Sequence, residues 1–266
     1  MAFLSKFKKC YSSFLLYSFH VMFCLLIGSC GGDSSSSNSG TAINDDAVTF
    51  NSPWPTDFSK IFKASFSDGE GDQIALPVEM DAPPYADPVS FPSVDVTNIS
   101  LGIEQDFLYM RVDYAGEIPL EEVKIPEKGE VESQIVKNQG MNISLNVDDD
   151  ENTGSSGEGV QGVEIFFAVS FSFGIKNAIY ANYDFPNGDI HLHQQQILGE
   201  LGEGGPGYKY AIVRFDISKL GDFLPRGKTV ELGSWSEAES FNEDGTLKYH
   251  HFAFDGFTAV KWDIPE

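Results

Sequence analysis

Length, composition and charge narrow the class of protein. The chain has 266 residues, of which 41% are hydrophobic and 13% aromatic, enough for a substantial hydrophobic core. Its 40 Asp and Glu against 17 Lys and Arg give a formal net charge of −23 at pH 7. Such a surface repels nucleic-acid phosphates and attracts divalent cations, so no nucleic-acid partner is expected. Simple solubility outside the cell accounts for the same acidity.

Residues 1–29 have the features of a secretory signal peptide in their usual order. A basic patch with three lysines at positions 6–9 precedes an apolar stretch over about 14–27, which is shorter than the roughly 20 residues of a transmembrane helix. The stretch ends in Ile27-Gly28-Ser29-Cys30, which resembles the lipobox of bacterial lipoproteins. The resemblance implies cleavage before Cys30, acylation of its sulfur and attachment to a membrane by lipid. An uncleaved anchor or ordinary secretion is the alternative.

Residues 30–47 are predicted to form a flexible tether, because this segment is rich in Ser and Gly. Cys10 and Cys24 lie in the leader, so the mature chain is expected to form no internal disulfide. Gly31 follows Cys30 where an aspartate would indicate retention in an inner membrane. We therefore expect a location in the cell envelope, on the outer membrane if the organism has one.

Residues 48–266 are predicted to fold as one all-β domain. Apolar residues recur at every second position, most clearly over 108–114, 141–147 and 163–171. Further strands are indicated near 60–66, 95–102, 176–184, 188–194, 208–215, 228–236 and 248–260, and a helical turn at 217–221. About ten strands with turn residues between them predict an antiparallel, jelly-roll-like sandwich of two sheets. The polar residues that alternate over 142–146 are expected to be solvated.

The segment after residue 147 is rich in oxygen ligands. Asp148, Asp150 and Asn152 occupy alternate positions, and Glu164 enters the following strand. Because Ca²⁺ is bound by about six to eight oxygens, these four residues are predicted to form a structural calcium site. The spacing is not that of an EF-hand, since the glycine falls one place late and the twelfth position has no glutamate. An acidic hairpin loop that is only solvated is the alternative.

Four short motifs are similar to those of a known family. They read P-S-V-D-V at 92–96, D-F-L-Y-M-R-V at 106–112, D-x-D-x-N-T-G at 148–154 and G-x-E at 162–164. Over roughly residues 55–262 the chain thus resembles the family-nine carbohydrate-binding modules and the wider DOMON-like group. The resemblance implies a jelly-roll fold, structural calcium and, in many members, sugar binding on a concave face. The paired sugar-stacking tryptophans of that family have no clear equivalents among Trp54, Trp235 and Trp262.

Four aromatic residues are candidates for contact with carbohydrate. The C–H face of a pyranose packs on an aromatic ring while polar groups bind its hydroxyls. Trp235, which stands between two serines and is expected to be exposed, is the first candidate. Tyr180, Tyr183 and Tyr210 are the others. Packing within the β-sandwich is the alternative for each of them.

No motif indicates catalysis. The sequence has no Gly-x-Ser-x-Gly elbow, zincin motif, phosphate loop or recognisable catalytic cysteine, so an enzyme is not expected. His191 and His193 share one predicted strand face, where a solvent-facing pair is the simpler alternative to a metal site. The sequence therefore predicts a non-catalytic, membrane-anchored lipoprotein whose calcium-stabilised β-sandwich binds carbohydrate. A structural or adhesive surface protein that contacts other proteins is the alternative.

Overall fold

The computed structural model describes residues 52–72, 74–75, 91–125, 133–154, 160–173, 177–183, 195–218 and 220–266. Residues Trp54–Glu266 form one compact unit. Cys30, together with the leader and tether predicted at 1–29 and 30–47, lies outside the described residues, as do His191 and His193. Among the residues that are described, no helix has the length and apolar character needed to cross a membrane.

Strands make up nearly all of the regular structure. Two 3₁₀ turns lie at Phe58–Lys60 and Gly221–Phe223. The strands are β1 (Ala64–Ser67), β2 (Ile74–Ala75), β3 (Val96–Glu104), β4 (Phe107–Tyr114), β5 (Val123–Ile125), β6 (Gln134–Asn146), β7 (Ile165–Ser172), β8 (Asn177–Tyr183), β9 (Gln195–Gly204), β10 (Tyr210–Asp216), β11 (Thr229–Phe241) and β12 (Leu247–Asp263).

The strands form two antiparallel sheets, one of them curled, and this confirms the prediction of an all-β sandwich. The first sheet has the order β1-β3-β4-β10-β9, and the second has the order β8-β7-β6-β11-β12-β2 with β5 beside β6. Strand β9 takes part in both, because its residues 195–198 pair with β8 and its residues 199–204 pair with β10.

Alternating apolar residues supply the core between the sheets. On β4 these are Leu108, Met110, Val112 and Tyr114, and on β7 they are Ile165, Phe167, Val169 and Phe171, all of them buried. The ring of Phe167 in the second sheet contacts the ring of Phe215 in the first, with 4.9 Å between centroids. Burying one such side chain contributes about 1.5–3 kcal/mol, so this layer is a main source of stability.

The polar face of β6 differs from the expectation. Asn142, Ser144 and Asn146 are buried, although their alternation with apolar residues suggested contact with solvent. Facing residues of β7 and β11, such as Ser170 and Glu237, are buried as well. Alternation predicts which side chains share one face of a sheet, but it does not predict whether that face is covered.

Most predicted strand positions correspond to observed strands. The strand expected at 188–194 falls outside the described residues. The helical turn expected at 217–221 lies at Gly221–Phe223. Strands β2, β5 and β9 were not predicted: β2 and β5 have only two and three residues, and the glycines of β9 interrupt its apolar pattern.

Candidate functional site

The connection from β6 to β7 carries the predicted calcium ligands, and Asn146 fixes its two arms. The Asn146 side-chain amide donates to the Gln161 carbonyl oxygen at 2.8 Å, and its Oδ1 accepts from the Asp149 backbone N–H at 2.8 Å. The Glu164 N–H donates to the Leu145 carbonyl oxygen at 3.0 Å. The acidic residues after β6 are thereby held beside the start of β7.

At the centre of this loop a single hydroxyl faces four oxygen atoms. Thr153 Oγ1 lies 2.8 Å from Glu164 Oε1 and 3.0 Å from the Asp150 carbonyl oxygen. It also lies 3.1 and 3.2 Å from the two carboxylate oxygens of Asp148. A threonine hydroxyl has one proton and can fully satisfy one acceptor at a time. We call Asp148, Asp150, Thr153 and Glu164 the hairpin-loop site.

Glu164 is the buried member of the hairpin-loop site, with 1% of its surface exposed. Its Oε2 accepts from the Val147 backbone N–H at 2.9 Å. The pKa of Glu164 is raised to about 7, mainly because the side chain is buried; the contacts with Val147 and Thr153 oppose the rise, and the negative charge of Asp148 adds to it. A positive charge bound beside the carboxylate would favour its ionised form.

Two glycines allow the arms of the loop to approach each other. Gly154 has φ +56°, and a Cβ there would lie 2.2 Å from the Val163 carbonyl oxygen and 2.7 Å from Glu164 Oε1. Gly162 has φ +69°, and its Cβ would lie 2.1 Å from the Asp150 carbonyl oxygen. These positions therefore require glycine both for the left-handed backbone and for space.

The structure brings together part of the predicted ligand set. Asp148 and Glu164 meet at Thr153, and Asp150 reaches the same point through its carbonyl oxygen. The Asp150 carboxylate instead accepts from the backbone N–H and the side-chain amide of Asn152, both at 2.9 Å. Thr153 is not among the ligands predicted from the sequence, although it lies five residues after Asp148 in the same acidic loop.

A second group of carboxylates lies where the chain crosses from β1 in the first sheet to β2 in the second. One oxygen from each of Asp68, Asp72 and Asp255 lies within 4.8 Å of the other two. Asp72 is exposed, Asp68 is half-buried, and Asp255 on β12 is 5% exposed. Asp255 Oδ2 accepts from the Val96 backbone N–H of β3 at 2.7 Å, which joins the two sheets.

Asp95, the residue before β3, adds a fourth carboxylate to this group. Its Oδ2 accepts from the Gly71 backbone N–H at 2.7 Å. We call Asp68, Asp72, Asp95 and Asp255 the inter-sheet cluster. The pKa of Asp255 is raised to about 7, mainly because the side chain is buried; the hydrogen bond from Val96 opposes the rise, and the charges of Asp72, Asp68 and Asp95 add to it. The cluster was not predicted, because its members come from three segments that are distant in sequence, and only the acidic turn at 68–72 is a local signal.

Trp235 is 7% exposed, in contrast to the expected exposure. Its Nε1 donates to Glu237 Oε1 at 3.3 Å, and its ring lies 5.3 Å from the ring of Phe166. With the Asn142 amide oriented oxygen towards the indole, Nε1 also donates to Asn142 at 2.9 Å. These contacts describe a side chain packed into a polar, buried layer.

The three candidate tyrosines occupy different register positions in the sheets. Tyr180 and Trp235 lie in one row across the second sheet. The row runs from Tyr180 through Ala168 and Asn142 to Trp235, each residue paired with the next. Tyr183 is paired with Ile165, in the row of the core residues. Tyr210 belongs to the first sheet, and the structure does not bring it together with Trp235.

Tyr210 is half-buried and packs against the exposed ring of Tyr208. Tyr208 is 53% exposed, and its ring packs edge-on against Tyr210 with 5.7 Å between centroids. The Arg111 guanidinium lies 4.6 Å from the Tyr210 ring centroid, and the Tyr210 hydroxyl donates to Glu203 at 2.6 Å. We call Tyr208, Tyr210, Arg111 and Glu203 the tyrosine patch. Sequence analysis selected Tyr210 and missed Tyr208, which lies two residues earlier.

No protein-family model, curated protein or solved structure matches the chain.

Proposed function

We propose that this protein is a non-catalytic lipoprotein of the cell envelope, whose β-sandwich is stabilised by Ca²⁺ and binds carbohydrate. The observation that carries the calcium part is the crowding of four acceptor oxygens around the single hydroxyl of Thr153. Carboxylates, a backbone carbonyl and a hydroxyl are the hard oxygen ligands that Ca²⁺ prefers.

The energetics of the hairpin-loop site favour a cation over a hydrogen-bond network. Asp148 and Glu164 present oxygens to one point, and their like charges repel each other when both are ionised. One hydroxyl proton cannot compensate both carboxylates. A bound Ca²⁺ neutralises them and replaces the solvation that Glu164 lost on burial. Proton uptake by Glu164 is the alternative way to reduce the repulsion, so Ca²⁺ and protons compete for the site.

Calorimetric titration of the full chain in mild detergent with CaCl₂ tests this proposal. Glu164→Gln, which keeps the shape of the side chain, is expected to lose one bound Ca²⁺, and the exposed Asp148→Asn is expected to weaken the same event. Glu151→Gln, an exposed change in the same loop, is the matched control and should bind as the wild type does. Unchanged binding by both Glu164→Gln and Asp148→Asn would refute the calcium assignment at this loop.

The tyrosine patch supports the carbohydrate part of the proposal. Tyr208 offers an exposed aromatic face, and Arg111 and Glu203 place a hydrogen-bond donor and an acceptor beside the aromatic pair. An aromatic face flanked by polar groups is the surface on which a sugar ring can stack. Among the described residues, Leu120 and Tyr208 are the large hydrophobic side chains with high exposure, so a broad apolar patch of the kind that binds protein is not formed there.

A glycan array probed with the full chain in Ca²⁺ tests carbohydrate binding. Tyr208→Ala should abolish a signal that the wild type gives, because it removes the stacking surface. Leu120→Ala is the matched control, since it removes an exposed apolar side chain next to the patch without removing an aromatic ring. Absence of any signal from the wild type would favour the structural or adhesive alternative.

The lipid anchor has a separate test. Cells that express the full chain are grown with a labelled fatty acid, and the chain should incorporate the label and sediment with the membrane fraction. Cys30→Ser should lose both properties, because the sulfur of Cys30 is the proposed acyl acceptor. Label that persists in Cys30→Ser would contradict the anchor.

A further inference from the structure

We propose that the inter-sheet cluster is a second Ca²⁺ site, separate from the hairpin-loop site, which joins the two sheets at the crossing from β1 to β2. This inference does not rest on the function proposed for the hairpin-loop site or the tyrosine patch.

The spacing of the oxygens fits one Ca²⁺ ion. Ligand oxygens lie about 2.4 Å from Ca²⁺, so two of them on the same ion are at most about 4.8 Å apart. One oxygen from each of Asp68, Asp72 and Asp255 meets this limit with respect to the other two.

The buried carboxyl group of Asp95 is a second, independent indication of a cation. This side chain is 2% exposed, and within the part of the chain that the structure describes no hydrogen-bond donor reaches its buried Oδ1. The bond from the Gly71 N–H to Oδ2 holds the carboxyl group against the acidic turn, next to Asp72. A buried acceptor without a partner destabilises the folded chain, and the effect is larger when the acceptor is charged. A cation in the cluster would compensate this oxygen and also Asp68 Oδ2, a second buried oxygen for which the described residues offer no hydrogen-bond partner.

The position of the cluster gives the ion a structural role. The last residue of β1, Ser67, is paired with Asn98 of the first sheet, and Ile74 of β2 is paired with Phe254 of the second sheet. Asp68 and Asp72 lie between these two pairings, and Asp255 follows Phe254. One ion would therefore hold the crossing segment, the edge of the first sheet and β12 together.

Equilibrium dialysis of the full chain in mild detergent with radioactive CaCl₂ at pH 7.5 counts the bound ions directly. The wild type is expected to bind two Ca²⁺. Asp72→Asn and Asp255→Asn should each weaken one of them at least about tenfold, since even changes behind a metal ligand have effects of that size. Asp263→Asn, an exposed change on the same strand β12, is the control and should bind two.

The variants separate the two sites. Glu164→Gln should lose the other ion, and the double change Asp255→Asn with Glu164→Gln should lose both. Because Asp72 is exposed, Asp72→Asn keeps the fold and decides the result even if Asp255→Asn does not fold. An Asp72→Asn chain that still binds two Ca²⁺ with wild-type affinity would overturn the inference. Loss of one ion in Asp72→Asn but none in Glu164→Gln would uphold it and refute the hairpin-loop site.

Discussion

The buried carboxylate of Glu164 makes the stability of this protein depend on pH when Ca²⁺ is absent. Its pKa is about 7 in the folded chain against 4.5 as the ordinary value. Between these two pH values the folded chain holds a proton that the unfolded chain has released, so the free energy of unfolding falls as pH rises. A difference of about 2.5 pKa units corresponds to about 3 kcal/mol lost between pH 4 and pH 8.

Glu164→Gln isolates this contribution, because the amide cannot ionise. Urea unfolding of the wild type and the variant in chelator, at pH 4 and at pH 8, gives the free energy of unfolding of each. On going from pH 4 to pH 8, the variant should gain about 3 kcal/mol relative to the wild type. Saturating Ca²⁺ at pH 8 should raise the free energy of unfolding of the wild type more than that of the variant, since the ion binds the wild-type carboxylate. Parallel pH dependences in chelator would refute the reasoning.

Three further predictions use the same unfolding assay. Asp255→Asn should stabilise the chain in chelator at pH 8 by up to about 4 kcal/mol, because the pKa of Asp255 rises from 3.8 to about 7 and an amide oxygen can still accept from Val96; destabilisation would contradict the raised pKa. Gly154→Ala should lower stability by at least about 1 kcal/mol and weaken Ca²⁺ binding, since its Cβ collides with the Val163 carbonyl oxygen. Trp54→Ala should cost about 2 kcal/mol, because the Trp54 ring covers the buried Arg214 guanidinium at 4.4 Å; Trp54→Phe should cost less.

The sequence predicted those parts of the fold that depend on local alternation. The positions of β4 and β7 follow from apolar residues at every second place, and Phe167 and Phe171 are buried as that pattern requires. Strand β9 was not predicted, because a glycine in this strand makes room for a residue that is distant in sequence, and no local pattern indicates such a contact. A Cβ on Gly202 would lie 2.5 Å from the Trp54 ring, which packs against this strand.

The candidate sites were predictable only where their residues are close in sequence. Asp148 and Glu164 come from the two ends of one loop, so the acidic pattern identified both. Asp255 joins Asp68 through the pairing of distant strands, and no spacing in the sequence indicates it. The burial of Trp235 depends on neighbours from other strands, which a local pattern of flanking serines cannot show.

The most direct test of calcium stabilisation is thermal unfolding of the full chain in mild detergent at pH 8, in 10 mM Ca²⁺ and in chelator. For a site with a Kd of about 0.1 mM, this Ca²⁺ concentration is about 100 times the Kd. Binding would then add about 2.7 kcal/mol to the free energy of unfolding. For a domain of this size that corresponds to a Tm higher by about 5–10 °C. The account predicts a rise of this size, and an identical Tm in Ca²⁺ and in chelator would contradict it.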